Sequence, residues 1–219
     1  MPTRRFLVAA ALVASLGGAA SARPAPTATP ADMTLGNPKS AIEVIEYASL
    51  SCPHCAHFNE TVFVPFRAKW VDTGKVRFTL KEMLTASPTV AMAGFLIARC
   101  AGSDRYFKVV DDVYRSQPRW EEGQIKAILK QIAADNGVDE PHFDACLRDT
   151  AAIGAVNERA RRASEQDGVE STPTLFINGV RVDPLPLTPA EMDAAIAAAD
   201  KPVAKKPVSR KSAAVKGAR

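Results

Sequence analysis

The sequence predicts an α/β fold in which a strand–helix–strand unit and a later strand–strand–helix unit are separated by a block of helices. Three observations predict it: a β-branched apolar run at residues 41–49, helical periodicity from Ser87 to about Gln166, and the hairpin-turn dipeptide Asn178-Gly179. The body of the chain, residues 23–200, is long enough for one compact domain with an insertion.

The first unit is read from three consecutive segments. "AIEVIEYAS" (41–49) is β-branched and apolar, so it predicts a buried strand. "CAHFNETVFVPFRAKW" predicts a helix, because Phe58, Val62 and Phe66 recur every four residues, and Pro65 should kink or divide that helix. "KVRFTLKEM" (75–83) alternates apolar and polar residues and predicts a second strand.

Residues 87–166, which we name the helical block, contain five segments with helical patterns. Glycines stand at several of their junctions: Gly102, Gly123, Gly137 and Gly168. After the block, "TPTLFING" and "VRVD" predict a hairpin. "TPAEMDAAIAAAD" predicts a closing helix with Thr188 as its N-cap and Pro189 in its first turn. The predicted order is βαβ, helical block, ββα.

The N-terminus has the pattern of an export signal. Arg4 and Arg5 precede an apolar run at 6–16, and the small residues Ala20-Ser21-Ala22 form a cleavage site before Arg23. The run is too short to span a bilayer. We therefore expect a signal peptide at 1–22, cleaved near Ala22, and a periplasmic protein. The adjacent arginines leave open whether export follows the Sec or the twin-arginine route, and a buried helix of a cytosolic domain is the alternative.

The C-terminus, residues 201–219, contains seven basic residues and no acidic or aromatic ones. We expect this basic tail to be disordered, acting either as a solubilising segment or by docking to anionic lipid or an acidic partner. Without the tail, Arg4 and Arg5, the chain has 19 basic and 24 acidic residues, although its net charge is +4. The body is therefore acidic, which argues against a nucleic-acid-binding surface.

The stretch "CPHC" places Cys52 and Cys55 at the predicted strand-to-helix turn, with Pro53 and His54 between them. Free backbone N–H groups at a helix N-terminus stabilise a thiolate, and the two-residue spacing lets the sulfurs close a small ring. His54 adds a second donor. We expect Cys52 to be the exposed attacking sulfur and Cys55 the inner resolving one.

Other interpretations of the motif stay open at this point. Zinc would have Cys52, Cys55 and one of His54 or His57 as ligands, but the sequence has no second CxxC to complete four. A purely structural disulfide would close so short a loop that it would remove little entropy from the unfolded chain. His57 is interpreted as a surface residue. We predict no metal and no dissociable cofactor.

Taken together, the strand, the CPHC, the helical block and the later "STPTLFINGVRV" resemble the DsbA-type thiol–disulfide oxidoreductases of the bacterial cell envelope, over about residues 41–200. The resemblance implies a thioredoxin-like fold interrupted by an inserted helical domain. It also implies that Cys52 is the nucleophile and Cys55 its partner, and that Pro53 and His54 tune the redox equilibrium.

The resemblance assigns further positions. Thr172 and Pro173 match the cis-proline loop that binds an extended substrate opposite the sulfurs. Glu46 matches an acidic residue beneath the active site that moves protons for the inner cysteine, with Lys81 as its partner; a solvated strand-end carboxylate is the alternative for Glu46.

Cys100 and Cys146 would both lie in the inserted helices. Export and an even number of cysteines favour a structural disulfide between them, with two buried free thiols as the alternative.

The function implied is that of an oxidase, which donates the Cys52–Cys55 disulfide to reduced exported proteins through a mixed disulfide at Cys52. A DsbB-like membrane oxidase would restore the disulfide. A disulfide isomerase or reductase of the same fold is the alternative, followed by a peptide-binding, chaperone-like module. Too few residues precede the first predicted strand for a dimerisation domain, so we expect a monomer.

The predicted organisation divides the chain into six parts. They are a signal peptide at 1–22, a flexible N-terminal segment at 23–40, the first part of a thioredoxin-like domain at 41–86, an inserted helical domain at 87–166, the second part of the thioredoxin-like domain at 167–200, and a basic disordered tail at 201–219.

Overall fold

The structure of the protein is a computed structural model that describes residues 25–120 and 123–200. The predicted signal peptide, its cleavage site and the basic tail lie outside the described residues. Within the described ranges, none of the helices has the length and apolar character needed to cross a bilayer.

A five-stranded mixed sheet forms the centre of the molecule. Its strands are β1 (Met33–Gly36), β2 (Ile42–Ala48), β3 (Val76–Glu82), β4 (Thr174–Ile177) and β5 (Val180–Arg181), in the spatial order β1-β3-β2-β4-β5. β2 and β3 are parallel, and the other neighbouring pairs are antiparallel. Because β2 and β3 are central, both are buried almost throughout. The apolar composition of β2 predicted this, whereas in β3 the polar Thr79 and Lys81 of the alternating pattern are buried as well.

Strand β1 corrects the expectation of a flexible segment at 23–40. Met33 and Leu35 alternate with polar neighbours and pair with Leu80 and Phe78 of β3, so they pack partly buried against the core. Gly36 has φ +85°, and a Cβ there would lie 2.3 Å from the carbonyl oxygen of Val76, which only glycine avoids. Four residues are too few to show a period in the sequence.

The helix after the CPHC is irregular. It runs as α1 (Pro53–Phe58), a π-helical segment (Asn59–Phe63), α2 (Val64–Phe66) and a second π-helical segment (Arg67–Val71). Pro65, expected to kink or divide the helix, lies inside α2. Proline has no backbone N–H to donate, and the hydrogen-bond pattern of the helix changes to π-helical on both sides of α2. The predicted apolar face of Phe58, Val62 and Phe66 is buried, and the Phe66 ring lies 6.2 Å from that of Phe78 between centroids.

The helices of the helical block follow β3. They are α3 (Pro88–Cys100), α4 (Ser103–Ser116), a 3-10 turn (Gln117–Arg119), α5 (Ile125–Asp135), α6 (Glu140–Arg148) and α7 (Thr150–Glu165). They share one hydrophobic core with the sheet, since Phe107 of α4 lies edge-to-face on Phe78 of β3 at 6.0 Å.

Hydrogen bonds to one buried carboxylate also connect the helical block to the sheet. Glu82, at the end of β3, is 1% exposed and accepts hydrogen bonds from Arg99 of α3 (2.6 Å), Arg159 of α7 (2.6 Å) and the Tyr106 hydroxyl of α4 (3.0 Å). Two arginines compensate for the burial of this one carboxylate.

The C-terminal unit confirms the predicted hairpin and cap. Asn178 and Gly179 both have positive φ, 49° and 76°, as a two-residue hairpin turn between β4 and β5 requires. The last helix, α8 (Pro189–Ala199), begins with a capping box between Thr188 and Glu191.

Candidate active site

The strand-to-helix turn after β2 presents the two free cysteines. Cys52 is the N-cap of α1, in an extended conformation, and Pro53 occupies the first helical position, where its fixed φ suits the helix and its missing N–H costs nothing. The backbone N–H groups of His54 and Cys55 point to the Cys52 sulfur. The chain therefore delivers one thiol directly onto the free donors of a helix N-terminus.

Cys52 is less exposed than expected. It is 6% exposed and Cys55 is fully buried, so Cys52 is the more accessible sulfur but not an open one. The Thr172 loop covers it: the Cys52 thiol donates a hydrogen bond to the Thr172 carbonyl oxygen at 3.4 Å. The Thr172–Pro173 peptide bond is cis. The structure thus brings together two segments that are 120 residues apart in sequence.

The pKa values of the two thiols are shifted in opposite directions. The pKa of Cys52 is lowered to about 5, first by a hydrogen bond from the Cys55 thiol, then by the Thr172 side chain and the N–H groups of Cys55 and His54, against the opposing effect of burial. Burial, the hydrogen bond to Cys52 and the nearby Glu46 charge raise the pKa of Cys55 far above its ordinary value. At neutral pH the reduced site therefore holds a thiolate at Cys52 and a thiol at Cys55.

Pro53 and His54 are both exposed at the rim. The contribution of His54 to the sulfur in this structure is its backbone N–H. Its imidazole lines a cleft of about 250 Å³ together with Thr172, Pro173 and Leu187. His57, interpreted from the sequence as a surface residue, is exposed and lines the same cleft.

Glu46 is a buried carboxyl on β2, only 4% exposed, so the solvated strand-end alternative does not hold. It stands level with Leu80 and Leu175 on the neighbouring strands, on the sheet face that carries the main core. Burial, and secondarily the Cys52 charge, raise its pKa to about 8. A carboxyl with this pKa can accept and return a proton near neutral pH.

Lys81 is not the partner of Glu46, which corrects the prediction. In the observed register Lys81 is level with Tyr47, so its side chain lies on the opposite face of the sheet from Glu46. There its ammonium pairs with Asp167 at 3.4 Å and Asp32 at 3.8 Å. The register of a parallel pair is set by contacts along both strands, which the sequence of one strand does not reveal.

Several polar residues at the site were missed by the sequence reasoning. Gln117 donates from Nε2 to the carbonyl oxygens of Leu50 (2.9 Å) and Cys52 (3.4 Å), fixing the turn that carries the motif. Tyr114 is buried, which raises its pKa, and it lies near Cys55 and Glu46. Both come from the helical block, and only the fold brings them to the site; no sequence signal places them there.

The other two cysteines lie away from this turn. Cys100, at the end of α3, and Cys146, in α6, form a disulfide across a sequence separation of 46, with their Cα atoms 6.3 Å apart. As for metals, no group of three or more His, Cys, Asp or Glu side chains within 25–120 and 123–200 is arranged to hold an ion.

Comparison with known proteins identifies the family of the chain. Residues 28–198 match the thioredoxin family. A putative protein-disulfide oxidoreductase of Rickettsia bellii is 29% identical over 154 residues, which cover 69% of this chain and 59% of that protein. The chain therefore spans less than two thirds of the length of this relative.

Solved structures agree on the fold. Alpha-DsbA1 of Wolbachia pipientis superposes with a TM-score of 0.71 at 25% identity, covering 78% of this chain and 92% of that one. A protein-disulfide isomerase of Novosphingobium aromaticivorans superposes with a TM-score of 0.67 at 24% identity, covering 76% and 96%. The chain belongs to the thioredoxin family, and its fold is the thioredoxin-like fold of the DsbA-type proteins.

Proposed function

We propose that the protein is a thiol–disulfide oxidoreductase that works as an oxidase of exported proteins. The observation that carries this proposal is the opposite shift of the two thiol pKa values, low at Cys52 and high at Cys55. A site that stabilises the Cys52 thiolate stabilises the reduced enzyme. Its disulfide is then a stronger oxidant, because reducing it forms the stabilised Cys52 thiolate.

The reaction begins with the Cys52–Cys55 disulfide. A substrate thiolate attacks the Cys52 sulfur, the Cys52–Cys55 bond breaks, and the electron pair leaves on Cys55, which takes a proton. A second substrate thiolate then attacks the substrate sulfur of the mixed disulfide and releases Cys52 as a thiolate. The two substrate thiols lose two electrons and two protons and form a disulfide, while the enzyme is left with a Cys52 thiolate and a Cys55 thiol. One of the two protons ends on Cys55 and the other goes to solvent.

Two neighbouring groups support these steps. Glu46, buried close enough to Cys55 to raise its pKa, is placed to supply the proton that the leaving Cys55 sulfur takes and to recover it on re-oxidation. Thr172 and Pro173 face the cleft beside Cys52 and are the proposed contact for an extended substrate segment. Pro53 and His54 set the donors around the sulfur.

We propose the cellular location and the partners of the enzyme from its sequence. The signal-like N-terminus supports a periplasmic location and reduced exported proteins as substrates. The reduced enzyme needs an oxidant, for which we propose a membrane oxidase of the DsbB kind, and it acts as a monomer without a dissociable cofactor.

The second candidate is a disulfide isomerase, because a solved isomerase shares this fold. An isomerase attacks non-native disulfides from the reduced state, so it uses the same low-pKa Cys52 with a less oxidising disulfide.

The test is the redox equilibrium of the Cys52–Cys55 pair in a series of glutathione buffers, followed by thiol trapping with the Cys100–Cys146 bridge intact. We expect a potential more oxidising than about −180 mV, the range of protein disulfide isomerase. A potential near that of thioredoxin, about −270 mV, would contradict the oxidase and favour a reductase. Reactivation of scrambled ribonuclease, compared with oxidation of the reduced protein, separates isomerase from oxidase.

A further inference from the structure

A network of small hydroxyl side chains lies beneath the active-site turn. Ser49 and Ser51, both buried, donate from their hydroxyls to the Thr85 carbonyl oxygen at 3.0 and 2.8 Å. In return, the Thr85 and Ser87 backbone N–H groups donate to the Ser49 and Ser51 hydroxyl oxygens at 3.3 and 3.1 Å. The loop at 84–87 is therefore fastened to the turn that carries Cys52.

The backbone of that loop is held in an uncommon conformation. Ala86 has φ +60°, the left-handed region that disfavours a residue with a Cβ. Such a residue persists where its surroundings determine the backbone, and uncommon conformations of this kind concentrate at functional sites. The hydrogen bonds from Ser49 and Ser51 provide that constraint and fix the direction in which the Thr85 side chain points.

The Thr85 hydroxyl meets the residue that covers the reactive sulfur. Its Oγ1 lies 2.7 Å from the Oγ1 of Thr172, so one of the two hydroxyls donates to the other. Thr172 in turn contacts Cys52 with two groups that favour opposite protonation states of the sulfur. Its carbonyl oxygen, 3.4 Å from Sγ, accepts a hydrogen bond and so favours the thiol, whereas its side chain favours the thiolate.

The direction of the Thr172 hydroxyl decides which preference prevails. A thiolate has no hydrogen and only accepts, so the Thr172 hydroxyl can stabilise it only by pointing its single hydrogen to the sulfur. The Thr172 oxygen is left to accept, and the donor facing it is Thr85. The hydrogen bonds therefore run in one order, Thr85 to Thr172 to Cys52, and each polarises the next.

We propose that Thr85 is a positioning residue for the proposed oxidase, which acts through Thr172: by donating to the Thr172 hydroxyl oxygen, it directs the Thr172 hydrogen toward the Cys52 sulfur. In the disulfide state the sulfur carries no charge, and the Thr172 hydroxyl is free to donate to Thr85 instead. Thr85 therefore stabilises the reduced state selectively.

The test replaces the hydroxyl without changing the shape of the side chain. In the reduced protein, the pH dependence of Cys52 alkylation by iodoacetamide and of thiolate absorbance at 240 nm gives the Cys52 pKa. We expect Thr85→Val to raise it by roughly 0.5 to 1 unit, the effect of one hydrogen bond between neutral groups, and Thr85→Ser to preserve it. Thr73→Val, which removes an exposed hydroxyl in the turn after the second π-helical segment, is the matched control.

The redox equilibrium should move with the pKa. Thr85→Val should shift the glutathione equilibrium of Cys52–Cys55 by roughly three- to tenfold toward the disulfide. In a Thr172→Val background, adding Thr85→Val should have no further effect on the Cys52 pKa, because Thr85 acts only through Thr172.

Three results would overturn the proposal: an unchanged Cys52 pKa in folded Thr85→Val, an equal shift in Thr85→Ser, or additive shifts in the double variant. Should the valine variant not fold, Thr85→Ala is measured in its place by the same criteria. The pKa titration does not depend on oxidase activity, so a reducing potential of the wild-type protein would remove the proposed function without deciding the role of Thr85.

Discussion

The two cysteine pairs of this protein have opposite chemical designs. Cys52 and Cys55 are close in sequence, lie at a helix N-terminus beside a buried carboxyl, and have widely separated pKa values. Cys100 and Cys146 are 46 residues apart and are bonded to each other at the ends of two helices. Donors and charges around a sulfur, rather than the presence of a second sulfur, therefore decide whether a pair can exchange electrons.

Removing one sulfur from the first pair tests this contrast most directly. Cys52→Ser should lower the rate of substrate oxidation more than about a thousandfold, because a hydroxyl cannot form the mixed disulfide. Oxidation of a reduced two-cysteine peptide measures the loss. If the variant loses peptide oxidation but keeps its activity in cells, the result would instead support a peptide-binding role that does not need exchange chemistry.

Removing the second pair should affect stability and spare chemistry. Cys100→Ala combined with Cys146→Ala should lower the free energy of unfolding by about 4 kcal/mol in the loop-entropy estimate. Urea unfolding measures this loss, and the Cys52 alkylation profile should stay unchanged. A large change in Cys52 reactivity would mean that the two pairs are coupled.

The buried carboxyl beneath the first pair destabilises the folded protein in a pH-dependent way. The pKa of Glu46 is raised in the folded protein, so between pH 4.5 and about 8 the folded state keeps a proton that the unfolded state has released. The contribution of Glu46 to the free energy of unfolding therefore falls as the pH rises through this window. Glu46→Gln should be more stable than the wild type by about 2 to 4 kcal/mol at pH 8 and equal to it at pH 4.

Urea unfolding of the reduced protein from pH 4 to pH 9 tests this, with the exposed Glu60→Gln as the control that should lack the gain. A gain of equal size at pH 4 would mean that Glu46 is unfavourable for reasons other than its charge.

Much of the fold follows from local patterns. β2, β3, the β4–β5 hairpin and the capped α8 all carry signals within a single segment, because their burial and turn chemistry are local. The short strand β1 was missed since its two inward residues, Met33 and Leu35, show their role only when paired with β3.

The active site divides in the same way. The CPHC, Glu46 and Thr172-Pro173 were found from the motif and the resemblance. The position of Lys81 depends on a strand register, and the contacts of Thr85 depend on a loop conformation that includes a left-handed Ala86. Neither property is encoded in the residues next to it, so sequence alone misplaced one and overlooked the other.

The core shared by sheet and helical block has a consequence for cooperativity. Phe78 packs on Phe107, and the Glu82 carboxylate binds side chains from three helices, so separating the block from the sheet would expose apolar surface and leave a buried charge without its partners. The inserted helices and the strands should therefore unfold in one transition, with matching hydrogen-exchange protection on both sides. Substrates would then be accommodated by motions of side chains and loops at the rim rather than by a hinge between two bodies.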